Sequence, residues 1–282
     1  MGNESGGEVA LCASILKKTE TLLVITGAGI SAESGLPTYR GPGGLYEKNP
    51  EIPHLLSEET LADDPCSMWK YLDNFRAVAQ RAKPNIAHRI LAQWESRNRF
   101  GRFLIATQNI DGLHQAGGNT LVSELHGSAW QMACPRSVDY GEDEGFSGDY
   151  LDYARNRNRE EILKRWSHEN NRTIWEDHTV PFPAIPPYDE ADVRPNILLF
   201  GEGYGNRLLW VENFIRQKVD TVLVIGCSGG LYILVHLLNS CRENNPNCTV
   251  ININPHMDTV IVPHLHLSMT ATASLSAINA HL

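Results

Sequence analysis

A short apolar run that ends in closely spaced glycines constrains this chain more than any other feature. Residues 21–26 are apolar and rich in β-branched side chains, which predicts a buried strand. Gly27 and Gly29 follow directly, and Ala32 stands three residues further on. This is the G-x-G-x-x-G/A spacing of a dinucleotide-binding turn, whose glycines let backbone N–H groups approach a pyrophosphate. On this motif alone, a plain strand-to-helix turn remains an alternative.

Short apolar strands alternate with helical patterns along most of the chain. Strands are predicted at 21–26, 103–107, 121–125, 196–200, 221–225 and 249–253, and helices at 9–18, 57–82 (in pieces), from 84 onward, 207–218 and 231–239. This alternation predicts an α/β fold with a doubly wound, mainly parallel Rossmann-like sheet. Residues 131–194 are charged and tyrosine-rich and end in a proline-rich stretch, so we expect a small inserted lobe there.

The composition of this 282-residue chain is that of a globular protein, with 42% hydrophobic and 20% charged residues. The formal net charge of -9 argues against broad binding to nucleic acid. The six cysteines form no C-x-x-C pair, so we expect reduced thiols. Residues 1–7 lack the features of a secretory signal, and no apolar run could span a membrane. We therefore expect a soluble intracellular protein, in the cytoplasm by default and with the nucleus left open.

Polar side chains follow several of the predicted strands. The strand at 103–107 runs into Gln108-Asn109-Ile110-Asp111, and the one at 121–125 runs into His126-Gly127-Ser128. The strand at 221–225 ends in a second glycine-rich turn, Gly226-Cys227-Ser228. Because an open α/β sheet binds its ligand at the carboxyl ends of its strands, these segments predict a common site.

In this order and at these separations, the segments 27–40, 107–114 and 125–128 resemble the sirtuin family of NAD-dependent protein deacylases. The resemblance covers about residues 21–128 and 196–255. It implies that 1–130 and 195–282 form an NAD-binding Rossmann-like domain, with 131–194 as the inserted lobe. It also implies that NAD is consumed as a co-substrate and that the partner is an acylated protein lysine. The nicotinamide–ribose bond would break, and the acyl group would pass to ADP-ribose.

The resemblance assigns roles to individual residues. His126 would be the general base that removes a proton from a ribose hydroxyl, and Asn109 and Asp111 would hold the ribose in its reactive pose. The implied cofactor-binding residues are Gly27, Ala28, Gly29, Ile30, Arg40, Tyr46, Gln108, Asn109, Ile110, Asp111, Gly226, Ser228 and Asn252. The implied substrate-binding residues are Leu199, Phe200, Gly201 and Glu202. Residues 41–46 are expected to form an irregular lid over the cofactor.

The inserted lobe departs from the family pattern, which has two cysteine pairs for a structural zinc. Only Cys134 stands near an expected ligand position, and no later pair appears before Phe200. A site with four cysteines cannot be built from this lobe, so we expect no zinc. His168 and His178 match no ligand spacing, and we expect the lobe to be held by packing.

The acyl-peptide groove also departs from the pattern. The loop 203–206 is atypical for the family, and Leu72 and Phe75 occupy the places where members selective for acidic acyl groups carry Tyr and Arg. We therefore predict no desuccinylase activity. The departures leave open a rival function on the same scaffold, an NAD glycohydrolase or a mono-ADP-ribosyltransferase. The oligomeric state stays open.

Overall fold

A six-stranded sheet forms the centre of the computed structural model, which describes residues 4–133, 194–256 and 261–282. The strands of the chain are β1 (Thr21–Thr26), β2 (Arg102–Thr107), β3 (Val122–Glu124), β4 (Gly127–Ala133), β5 (Arg194–Ile197), β6 (Thr221–Ile225), β7 (Thr249–Ile253) and β8 (Leu265–Leu267). The central sheet has the order β3-β2-β1-β6-β7-β8, and each neighbouring pair is parallel. This is the strand order of doubly wound dinucleotide-binding sheets and confirms the predicted fold class.

Helices cover both faces of the sheet. They are α1 (Glu4–Lys18), α2 (Leu45–Lys48), α3 (Ile52–Leu55), α4 (Glu58–Asp63), α5 (Pro65–Ala79), α6 (Ile86–Ser96), α7 (Leu113–Ala116), α8 (Asn206–Ile215), α9 (Tyr232–Asn244) and α10 (Ala271–His281), with a 3₁₀ helix at Ala28–Ser34. Leu22 and Val24 pack with α1, α6 and α10, whereas Leu23 and Ile25 pack with α8 and α9. Because both faces are covered, β1 is apolar and buried along its length.

The segment at 196–200 was predicted to continue the strand pattern of the main sheet, and that prediction is wrong. β5 pairs antiparallel with β4 in a separate two-stranded sheet. Phe200 makes only an isolated parallel bridge with Ser57. A short apolar run is compatible with a strand in either sheet. Its sequence therefore could not show which strand it pairs with. The small sheet places residues 198–202 opposite the carboxyl edge of the main sheet.

Three further elements differ from expectation. Residues 41–46 are not irregular throughout, because α2 begins at Leu45 after turns in which Gly41 and Gly43 adopt positive φ angles of 91° and 72°. β8 and α10 were not predicted at all. β8 has only three residues, too few for a periodic signal.

Most of the predicted inserted lobe, with Cys134, His168 and His178, lies outside the described residues. The proposed division into a main domain and a lobe therefore stays a prediction. Within the described part of the chain, every helix is too short or too polar to cross a membrane.

Candidate functional site

Four strands of the central sheet end at the same level. Thr26 of β1 pairs with Thr107 of β2 and with Ile225 of β6, which in turn pairs with Ile253 of β7. The next residues along the chain are Gly27, Gln108, Gly226 and Asn254, and all four line one cavity. The strand order reverses between β1 and β6, which is where doubly wound sheets bind ligands.

The cavity has a volume of about 550 Å³. It gathers most of the predicted site residues from four parts of the chain. Those that line it are Gly27, Ala28, Gly29, Arg40, Tyr46, Gln108, Asn109, Ile110, His126, Leu199, Phe200, Gly201, Glu202, Gly226 and Ser228. Three predicted residues, Ile30, Asp111 and Asn252, do not line it and are described below.

The two glycine turns fit against each other. Gly29 N–H donates to the carbonyl of Gly226 (2.9 Å), and Gly27 N–H donates to that of Ile225 (3.1 Å). A Cβ on Gly29 would lie 2.6 Å from the Cα of Gly226, whose own φ is +62°. A side chain at either position would therefore separate the turns. The glycines of the dinucleotide motif serve this contact between turns as well as the approach of a ligand to the backbone.

Asn109 links the second sequence motif to the first. Its Nδ2 donates to the carbonyl of Gly27 (3.1 Å) and to Oγ of Ser31 (3.2 Å). Ser31 in turn donates to Oδ2 of Asp111 (2.7 Å). Oδ1 of Asp111 accepts from the backbone N–H of Leu113 (2.8 Å). The Asn109 side chain is thus held in one orientation at the cavity wall.

Asp111 lies behind this wall and is only 6% exposed. Burial raises the pKa of its carboxyl group, and the hydrogen bonds from Leu113 and Ser31 oppose that effect. Both oxygens are occupied by these donors. Asp111 is thus linked to the cavity wall through Ser31 and Asn109, and Ser31 was not among the predicted site residues.

A buried relay of hydroxyl groups supports Asn109 from below. Thr26 Oγ1 donates to Thr107 Oγ1 (2.8 Å), which accepts from the backbone N–H of Asn109 (3.1 Å). Thr26 Oγ1 lies 2.9 Å from Nε2 of His114. Because the Thr26 proton is given to Thr107, the histidine must donate here, so its neutral ring carries the proton on Nε2. The aromatic ring of His88 lies 4.9 Å from that of His114.

His126 borders the cavity with one ring nitrogen. Its Nε2 lies 3.3 Å from the hydroxyl of Tyr204, and a hydrogen bond joins the ring to the backbone of Gln108. Burial lowers the pKa of His126 to about 4, with smaller contributions in the same direction from Arg207 and Arg40. The imidazole is therefore neutral at neutral pH, the state in which it can accept a proton.

Arg40 is the only arginine or lysine among the described residues that line the cavity. Its guanidinium carbon lies 5.1 Å from the centre of the Tyr46 ring. Tyr46 also contacts Tyr39 and Phe200, with ring centres 5.4 and 6.3 Å apart. Burial raises the pKa of Tyr39 well above its ordinary value. This aromatic cluster orders the segment predicted as a lid, and Tyr39 was not predicted as a site residue.

Asn252 does not line the cavity, and its predicted contact with the cofactor stays a prediction. It is fully buried within β7, where its Nδ2 lies 3.2 Å from Nδ1 of His266 on the neighbouring strand. Asn254 lines the cavity instead, and its Nδ2 donates to the carbonyl of Cys227 (2.9 Å). The physical reason is position: Asn254 follows the end of β7, whereas Asn252 precedes it. The rule that ligand-binding residues follow strand ends could have found it.

Ile30 is also absent from the cavity wall. Its side chain is buried in the apolar layer with α1, α6 and α10. Its carbonyl accepts a hydrogen bond from Nδ2 of Asn85 (2.7 Å), the N-cap residue of α6. Ile30 therefore anchors the 3₁₀ helix to the core and affects a ligand only through the position of that helix.

The donor set of the cavity fits a dinucleotide. The two glycine turns pack against each other at the cavity wall, so a ligand there would meet backbone and few side chains. Arg40 supplies a positive charge for phosphates, and Asn254 supplies a polar side chain beside the second turn. In the described ranges, no group of three or more His, Cys, Asp or Glu side chains could hold a metal ion. The predicted absence of zinc concerns residues outside those ranges and stays a prediction.

Comparisons with known proteins agree with this geometry. A model of the Sir2 family matches residues 27–232. An NAD-dependent protein deacylase of Aquifex aeolicus (strain VF5) is 31% identical over 266 residues, which cover 93% of this chain and 95% of the relative. A structure described as the structural basis for the mechanism and regulation of Sir2 enzymes is 27% identical, with a TM-score of 0.71 and coverage of 98% of this chain and 97% of that one. A complex of a Sir2 homologue with NAD, 23% identical over 96% of this chain and 93% of that one, has the same fold with a TM-score of 0.72.

Proposed function

The chain belongs to the Sir2 family, and from that premise we propose that it is an NAD-dependent protein lysine deacylase. One observation carries the proposal: a neutral histidine, His126, borders the same cavity as the two glycine turns and Asn109. A nucleotide-binding site alone would need no base at this position. The base and the nucleotide turns together support a reaction on the bound nucleotide.

NAD supplies a ribose whose bond to nicotinamide breaks and whose carbon takes up the acyl oxygen. We infer that the backbone of the two glycine turns, 27–29 and 226–228, approaches the pyrophosphate and that Arg40 lies near its charge. Asn109, fixed by Gly27 and Ser31, orients the ribose and excludes other poses. His126 then takes a proton from a ribose hydroxyl, and its low pKa keeps it unprotonated beforehand.

We infer that residues 199–202 form the wall that receives the acylated lysine. Leu198 N–H donates to the carbonyl of His126 (2.9 Å), so this segment is joined directly to the base. Phe200 N–H donates to the carbonyl of Leu56 (2.8 Å), and Leu199 N–H donates to Oε2 of Glu202 (2.8 Å). Two of these bonds tie the segment to its surroundings and the third closes it internally, and a rigid wall favours one position of the acyl group.

We also propose that the enzyme uses no structural zinc. The proposal rests on the sequence, in which Cys134 is the only cysteine between residues 131 and 194. Metal analysis of the purified full chain tests it directly. A stoichiometric amount of zinc that survives dialysis against a chelator would contradict it.

Product analysis tests the deacylase function. The full chain is incubated with NAD, with and without an acetyl-lysine peptide, and the products are identified by mass spectrometry. We expect O-acetyl-ADP-ribose and free lysine peptide only when both substrates are present. Equal production of ADP-ribose without peptide would support an NAD glycohydrolase instead. ADP-ribose attached to protein would support a mono-ADP-ribosyltransferase.

A further inference from the structure

The hydroxyl of Tyr204 faces Nε2 of His126, the proposed base. The hydroxyl oxygen lies 3.3 Å from this nitrogen, and the two ring centres are 5.7 Å apart. Tyr204 belongs to the loop between β5 and α8 and lines the same cavity as His126. No role in the proposed reaction has been assigned to it so far.

The tautomer of His126 fixes the direction of this hydrogen bond. The hydrogen bond to the backbone of Gln108 favours the protonated ring, as an imidazole N–H donor to a carbonyl does. A neutral imidazole has one N–H and one lone pair. The Nε2 that faces Tyr204 therefore carries the lone pair, and the phenol donates to it. This is the same lone pair that a ribose hydroxyl must reach.

We propose that Tyr204 is a positioning residue that acts through His126: its phenol holds the lone pair of the base and releases it when a ribose hydroxyl takes its place. The inference rests on the deacylase function proposed above. The hydrogen bond to the backbone of Gln108 also restrains the imidazole. The main effect of the phenol is therefore competition with the substrate for one acceptor.

The loop around Tyr204 permits such a displacement. Tyr204 is flanked by Gly203 and Gly205, and a Cβ at either glycine would have no neighbour within 4 Å. Gly205 has a φ of +54° and precedes the first residue of α8. The space beside both glycines is open, so neither glycine holds the phenol against Nε2, while the ring of Tyr204 packs against the apolar cluster of α8 and α9.

Tyr204→Phe tests the proposal, because it removes the hydroxyl and keeps the ring. Two rates are measured on the full chain with NAD and acetyl-lysine peptide: exchange of labelled nicotinamide, which precedes the need for a base, and deacylation, which requires it. Loss of a net hydrogen bond corresponds to about a two- to tenfold effect. We expect deacylation to rise by that factor relative to exchange.

A pH profile adds a second readout that a purely structural effect would not move. A phenol donor stabilises the neutral imidazole, so its removal raises the pKa of His126. The acidic limb of deacylation should therefore move to higher pH in Tyr204→Phe. The other groups that act on the base, Arg40, Arg207 and Gln108, are unchanged in this variant. Tyr232→Phe, at a tyrosine that is 79% exposed, is the matched control and should change neither readout.

The outcomes separate the inference from the proposed function. A wild-type protein without peptide-dependent turnover overturns both. If the wild type is active and Tyr204→Phe has an unchanged or reduced ratio of deacylation to exchange, only the inference is overturned. Such a phenol would help the base or have no effect, so it could not compete with the ribose hydroxyl for Nε2. Raised deacylation, with the acidic limb at higher pH, supports it.

Discussion

Nδ2 of Asn109 donates a hydrogen bond to the carbonyl of Gly27 over 3.1 Å, although the two residues are 82 positions apart. The bond joins the end of β2 to the glycine turn after β1. Both residues also line the cavity. The orientation of the Asn109 amide and the shape of the glycine turn after β1 therefore depend on each other.

Asn109→Ala should impair cleavage of NAD whether the acceptor is an acyl group or water. The substitution removes the amide that orients the ribose and the hydrogen bonds to Gly27 and Ser31. A misplaced ribose lowers the rate by about 100-fold. Release of nicotinamide is the measurement. Asn244→Ala, at an exposed position of α9, is the control, and a comparable loss there would contradict a specific role for Asn109.

His126→Ala should abolish deacylation and leave the fold intact. The loss of a positioned base lowers the rate by about 10²–10⁴-fold. Nicotinamide exchange should remain measurable, because it precedes proton removal. Circular dichroism and the unfolding temperature report the fold. His54→Ala serves as the control, since that side chain is 69% exposed on α3. Unchanged peptide turnover in His126→Ala would falsify the assignment of the base.

The pH dependence of deacylation should show the low pKa of His126. The base works only when unprotonated, so activity should fall as the pH drops toward about 4. Between pH 6 and 8 this group should cause no loss, provided that the protein stays folded. The ratio kcat/KM of the wild-type enzyme, which reports the pKa of the free enzyme, is measured from about pH 4 to pH 8. An acidic limb centred at or above the usual pKa of histidine, about 6.5, would show that the base is more solvated than the structure indicates.

The sequence predicted much of this site because its signals are local. The end of a short apolar strand is recognisable, and Gly27, Gln108 and Gly226 each follow one directly. What remained unpredicted depends on contacts between distant segments. Ser31 matters because Asp111 and Asn109 meet it, and β5 joins β4 because of pairing that its four residues do not encode. The resemblance pointed to Asn252, whereas Asn254, two residues further along the chain, lines the cavity.

Gly29→Ala should destabilise the protein as well as weaken its use of NAD. The new Cβ would lie 2.6 Å from Cα of Gly226, and backbone at that distance cannot move aside cheaply. Overpacking of this kind costs about 1–3 kcal/mol of the free energy of unfolding. Gly7→Ala is an informative control, because Gly7 is in α1 with open space around it and alanine favours a helix by about 0.5–1 kcal/mol. Chemical denaturation should thus show a lower free energy of unfolding for Gly29→Ala and a higher one for Gly7→Ala than for wild type. Equal stability of Gly29→Ala and wild type would contradict the close approach of the turns.

The buried pair His88 and His114 should make the folded state sensitive to mild acid. Burial lowers the pKa of His88 to about 4 and that of His114 well below its ordinary value, so both are neutral when folded. The unfolded chain takes up these protons below about pH 6.5, and the free energy of unfolding should therefore fall as the pH drops from 6.5 toward 4, by up to about 1.4 kcal/mol per pH unit for each histidine. Above pH 6.5 the contribution of the pair is constant.

Denaturation curves at pH 7.0 and 5.5 measure this loss of stability. His88→Gln removes one titrating ring and keeps a polar side chain, so its unfolding free energy should fall less between the two pH values than that of wild type. His54→Gln, at the exposed position on α3, should show the wild-type dependence. If His88→Gln and wild type lose the same free energy between pH 7.0 and 5.5, His88 must already be protonated in the folded state or must reach solvent, and either result would contradict a neutral, buried ring.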